Sequence, residues 1–175
     1  MKTRIRYIAE VGLLLALAVI AAYVEMLIPL DLAVPGIKLG LANCVILFVL
    51  YRYGPIKAMT ISLLRTMIIA LLFTGPFVLL YSFSSAMVSV LVMTAFSRNK
   101  AFSIYGVSMA GGVSHNLTQL AAASIILMAS GTTLRYLLTY YMPILILAGI
   151  AAGVFNAAVA DILLKRIPDK SLQEG

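Results

Sequence analysis

The sequence predicts an all-α, polytopic membrane protein built as a six-helix transmembrane bundle, and three observations carry that prediction. Of its 175 residues 63% are hydrophobic and only 11% charged, with a mean hydropathy of +1.08, far above the apolar share of an ordinary soluble domain. Its apolar stretches approach the roughly 20 residues that a hydrocarbon core about 30 Å thick demands. The cations are also sorted by side, as argued below, so the net charge of +7 reflects topology and gives no reason to invoke nucleic acid.

Cutting the chain where charge, Pro and Gly gather yields spans over about 8–28, 39–50, 56–73, 77–96, 105–130 and 140–164. The first follows a basic start, "MKTRIRYIAE". It resembles a signal peptide only superficially, because Glu10 interrupts it and cleavage would spoil an even span count. The second is too short to cross upright unless it borrows flanking residues or the bilayer thins. The third carries Arg65 near its middle and is joined to the fourth only by "TGP". The fifth contains "GGVSHNLTQLAAAS", and the sixth has Gly149, Gly153 and Ala157 four residues apart. No soluble domain or long linker interrupts them, so residues 1–175 read as one integral membrane domain.

With six spans, Lys2, Arg4, Arg6, Arg52, Lys57, Arg98, Lys100, Lys165, Arg166 and Lys170 fall on the side of the termini, against Lys38 and Arg135 opposite. Positive charge stays in the cytoplasm. Both termini are therefore predicted to be cytoplasmic.

Arg65 is the remaining cation. An ionisable group at mid-bilayer costs about 2.5–3.5 kcal/mol on insertion scales, so it faces protein or water and often marks a substrate pathway. One reading makes Arg65 a pocket residue; the other makes it half of a buried ion pair. Glu10 and Asp161 are expected near the inner ends of their spans and Glu25 near the outer end of the first, which leaves Arg65 no well-placed acid. His115 and Gln119 share one helical face, Asn116 is adjacent, and all three serve equally well as pocket groups or as hydrogen-bonding glue between helices.

Between the first two spans, "PLDLAVPGIKLGLAN" predicts a non-helical outer connection. Lys38 and Asn43 from this stretch, with Arg65, would make an outward-opening cationic pocket suited to a carboxylate or phosphate, because guanidinium offers a fork of donors. Cys44 reads as a small packing residue. No catalytic constellation, metal-ligand set, Asp-rich motif or phosphate-cradling loop is present in the sequence. The expectation is a binding protein rather than an enzyme, with no cofactor and no metal. Ala18 and Ala22, preceded at the same spacing by Gly12 and Ala16, form a small-residue face for close helix contact, either within the molecule or with a partner.

The blocks "VPGIKLGLANCVILFVLYRYG", "LLRTMIIALLFTGPFVLLYSFSSAMVSVLVM" and "GGVSHNLTQLAAAS" resemble the Gx transporter family, labelled heptaprenyl diphosphate synthase component I, over roughly residues 8–165. That family is similar in size and layout to the S components of energy-coupling factor transporters. The resemblance implies a substrate-binding subunit of the bacterial cytoplasmic membrane that captures a small anionic or amphipathic molecule, isoprenoid- or quinone-related among the options, from the outer face. It also implies partners: a transmembrane coupling protein, docked through the Ala18 and Ala22 face, and two ATPase subunits. Two rival roles accompany it. One is a membrane scaffold for quinone- or flavin-linked extracellular electron transfer, and the other a non-catalytic partner in prenyl diphosphate synthesis.

Overall fold

The computed structural model describes residues 2–28, 40–129 and 134–167. They form an all-α fold: α1 (Lys2–Leu27), α2 (Leu41–Tyr53), α3 (Pro55–Ile69), α4 (Pro76–Ser97), α5 (Ile104–Ala129) and α6 (Met142–Arg166). A π-helical turn, Ala70–Thr74, extends α3, while α6 is entered through a short turn, Leu134–Tyr136, and a second π-helical stretch, Leu137–Tyr141.

Two of the connections repeat one local solution. Tyr53-Gly54-Pro55 joins α2 to α3 and Thr74-Gly75-Pro76 joins α3 to α4. The glycines have nearly the same dihedrals, φ 89°, ψ 173° and φ 88°, ψ 171°. That region of the map is open essentially to glycine alone. The proline that follows starts the next helix, where its missing N–H has no partner to lose. The chain thereby reverses within a single non-helical residue, and successive helices lie side by side.

Among the described residues, four segments are long and apolar enough to cross a membrane: Ile8–Leu27, Pro55–Thr74, Pro76–Ser97 and Leu137–Arg166. The surface has the inverse of a soluble protein's pattern. Leu13, Leu71, Leu72, Phe77, Leu80 and Leu147 are exposed, while Ser62, Thr66, Ser85, Ser89, Ser108, Asn116 and Asn156 are buried. Apolar outside and polar inside is the arrangement a lipid solvent favours, consistent with a membrane protein.

The short second span has a physical explanation. At 1.5 Å per residue the 13 residues of α2 reach only about 20 Å, yet Cys44 through Leu50 are all buried. Packed against α1, α3 and α6, α2 is solvated by protein and need not match the bilayer. Cys44 is a packing residue in that core, its thiol donating to the Leu41 carbonyl at 2.8 Å.

On the other side of the bundle α5 sits between α4 and α6. Its contact with α6 is backbone on backbone. A methyl group built on Gly149 would come 2.9 Å from the Gly112 carbonyl oxygen, and one on Gly153 would come 2.6 Å from the Met109 Cα. Asn116 Nδ2 adds a hydrogen bond to the Leu145 carbonyl at 2.9 Å across this contact, and on the other side of α5 Ser89 Oγ of α4 donates to the Gly111 carbonyl at 2.9 Å. The small residues of α6 therefore serve internal packing.

The small residues of α1 divide between two faces. Ala18 is 0% exposed in the core beside α2, and Ala22 lines an internal cavity. Both face inward, because a methyl-sized side chain is what lets α1 lie close against α2 and α3. Gly12 and Ala16 are the small pair on the exposed side of α1.

Candidate functional site: a polar cavity between all six helices

A cavity of about 230 Å³ lies where the two halves of the bundle meet, and each of the six helices contributes to its wall. At one end it is lined by the C-terminus of α1, the N-terminus of α2 and the α3–α4 turn, through Met26, Gly40 and Thr74, with Asn156 of α6 beside Gly40. The α2–α3 and α4–α5 junctions and the end of α6, with Arg52, Lys57, Arg98, Lys100, Lys165 and Arg166, lie at the other end of the bundle. The cavity thus belongs to the end away from the cation cluster.

Arg65 enters it from the middle of α3, ten residues, or about 15 Å, along the helix from Pro55. Its Nε is buried without a hydrogen-bond partner. One turn further on, the helix loosens into the π-helical Ala70–Thr74, a feature frequent at functional sites. The loosened turn supplies Ala70 and Thr74 to the cavity wall, and the buried Thr74 Oγ1 also has no partner. Phe73 packs on Tyr23 of α1 with ring centroids 5.1 Å apart, which ties this turn to the neighbouring helix.

His115, Asn116 and Gln119 of α5 and Asn43 of α2 line the same cavity. Residues of two other helices are thus brought together with Arg65. Asn116 has a double character: its amide nitrogen binds the Leu145 carbonyl, as helix glue would, on the cavity wall. Lys38 lies outside the described residues, as do Pro29, Pro35 and Gly36 of the outer connection.

Two wall residues were missed from sequence. Glu25, expected apart from Arg65, lines the cavity with it and acts on it electrostatically. α1 packs directly against α3, so depth along the helix was a poor guide to proximity. The carboxylate of Glu25 also accepts the backbone N–H of Gly40, at the N-terminus of α2, where negative charge is favoured by the free N–H groups and the helix dipole. Asn156 is the second. It is 2% exposed, lines the cavity, and its Oδ1 is buried without a hydrogen-bond partner. Asn116 stood out within a polar cluster, whereas Asn156 is a lone amide in "AAGVFNAAVA", and an amide isolated in an apolar span was the one signal that could have found it.

Gly40 holds this corner open. It has φ +72°, and a Cβ there would meet Asn156 Nδ2 at 2.9 Å and Asn43 Nδ2 at 3.3 Å. The cavity therefore presents a guanidinium, a carboxylate and several amides on apolar helices. That set is equipped to bind and orient a small polar molecule.

No match to this chain is found among curated proteins or among solved structures. The family model for heptaprenyl diphosphate synthase component I matches residues 14–163, which takes in every residue lining the cavity, and the chain belongs to that family.

Proposed function

We propose that this chain is the substrate-capturing membrane subunit of a transporter of the bacterial cytoplasmic membrane, an S component of the energy-coupling factor kind. In this reading both termini are cytoplasmic, and the cavity takes up a small molecule at the outer side without chemical change. The observation that carries the proposal is the buried Arg65 Nε with no hydrogen-bond partner on the wall of a cavity built by all six helices. An intramembrane ionisable residue marks a functional site by default, and an unused guanidinium donor on a cavity wall is placed to hold a ligand oxygen. Transport is energised by a transmembrane coupling protein and two ATPase subunits. The coupling protein docks on the outward face of α1, where Gly12 and Ala16 are exposed.

Native mass spectrometry of detergent-purified wild type and Arg65→Ala tests this. A small molecule retained by the wild type and absent from the variant supports capture. Equal retention, or none in protein purified from a host that supplies the ligand, counts against it. Copurification with two ATPases tests the energy-coupling arm separately.

A second reading rests on the family's description, since a component I implies a partner component in a synthase complex. In that reading the chain is a non-catalytic membrane partner in prenyl diphosphate synthesis. The cavity weighs against its enclosing the product: at about 230 Å³ it lies below the roughly 300–1,000 Å³ of pockets for drug-sized ligands. Changed synthase activity when the purified chain is added to the soluble enzyme favours this reading over transport.

A further inference from the structure

We infer that the molecule held in this cavity is an ampholyte: a small scaffold carrying both an oxyanion, for Arg65, and an N–H or ammonium donor, for Asn156. The inference rests on the capture reading above and narrows it from anionic or amphipathic molecules to one chemical class.

Two orphan groups of opposite hydrogen-bonding sense define the class. Arg65 Nε is a donor without an acceptor, and Asn156 Oδ1 is an acceptor without a donor; both are buried. Buried polar groups are almost always paired, so each orphan specifies a missing partner. A simple anion answers Arg65 and leaves Asn156 unanswered. A simple amine does the reverse. Thr74 Oγ1, also buried without a partner, is indifferent, because a hydroxyl both donates and accepts.

Electrostatics points the same way. Arg65 and Glu25 stand on the wall of one cavity, so it carries charges of both signs. A bare anion drawn to the guanidinium also meets the carboxylate, and juxtaposing like charges in a site of low dielectric is costly. A molecule with separated positive and negative groups complements both. Glu25 already accepts the Gly40 N–H, so its role here is to supply negative potential, while the hydrogen-bond acceptor is Asn156. Size limits the scaffold: about 230 Å³ accommodates an amino-acid-sized molecule but not a long-chain one.

The test is thermal unfolding of the purified full-length chain in detergent with matched probe triplets. The probes are the standard amino acids, 4-aminobutyrate and 4-aminobenzoate, each compared with its des-amino acid and its decarboxylated amine. At least one amino carboxylate should raise the unfolding midpoint saturably, with half-saturation at least tenfold below both of its analogues. Asn156→Leu should erase its advantage over the des-amino acid, and Arg65→Gln its advantage over the amine. Asn156→Ala serves if the leucine variant does not fold, and predicts the same loss. A des-amino acid that binds as well as its parent overturns the ampholyte class but leaves capture of an anion standing. Absence of saturable binding by every amino carboxylate also overturns the class. Capture itself fails only if, in addition, native mass spectrometry finds nothing that wild type retains and Arg65→Ala loses.

Discussion

Glu25 of α1 and Arg65 of α3 lie on the wall of one internal cavity and act on each other electrostatically, although each belongs to a helix that is apolar for most of its length. Their proximity changes what substitution of either should do. Neither residue is a lone charge in hydrocarbon, so removing one leaves the other in the cavity.

Arg65→Ala should therefore combine a functional and a structural effect. Retention of the bound molecule should fall by more than tenfold. The unfolding midpoint should fall as well, because Glu25 loses its counter-charge. Arg65→Lys should restore part of the stability and little of the retention, since an ammonium on a flexible stem does not reproduce the directed Nε donor. Retention by native mass spectrometry and a thermal melt on the same samples separate the two effects.

Glu25→Gln and Glu25→Ala should differ. Glutamine keeps an oxygen to accept the Gly40 N–H and loses only the charge, so its cost is that of leaving Arg65 without its counter-charge. Alanine also removes the acceptor from the N-terminus of α2 and should cost a further amount of about 1–3 kcal/mol, the range for a hydrogen-bonded group left unsatisfied. Denaturation of the two variants in one detergent gives the comparison. The glutamine variant should also bind simple carboxylates more tightly than wild type, because the repelling charge is gone.

At the α5–α6 crossing, Gly149→Ala and Gly153→Ala should each destabilise by about 1–3 kcal/mol, the usual cost of overpacking. The atoms a new methyl would meet there are backbone, at 2.6–2.9 Å, and cannot rotate away. Gly12→Ala is the control. Nothing lies within 4 Å of the added Cβ, and alanine in a helix interior is favoured over glycine by about 0.5–1 kcal/mol. Opposite signs in a thermal melt are expected.

Ala18→Leu should lower stability by about 1–3 kcal/mol, because Ala18 is packed in the core. Ala16→Leu, on the exposed side of the same helix, should leave the melt within about 0.5 kcal/mol. If the coupling protein docks on that outward face, Ala16→Leu should weaken copurification and leave ligand retention intact. A stable, ligand-binding Ala18→Leu protein that loses only its partner would overturn the inward placement.

The sequence was informative wherever the determining physics is local. Hydropathy adds up along the chain, so the apolar helices were legible, as was the reversal at "TGP". The cost of a charge in hydrocarbon depends on depth, which sequence position approximates, so Arg65 stood out in the middle of its span. His115, Asn116 and Gln119 were legible for the same reason. The spans required boundary corrections: the second runs to Tyr53, and the last is entered through a π-helical stretch from Leu137. Such corrections are expected where helix ends depend on packing and capping.

Sequence alone thus determined an all-helical chain with an apolar exterior, a cation cluster at one end of the bundle and an arginine at mid-depth. Tertiary structure decided the rest: Glu25 beside Arg65, Asn156 on the cavity wall, Ala18 and Ala22 turned inward, and the glycines of α6 committed to α5. Those outcomes depend on how helices distant in sequence rotate and cross. In a helix that is apolar on every side, periodicity does not select the face that turns inward; packing does.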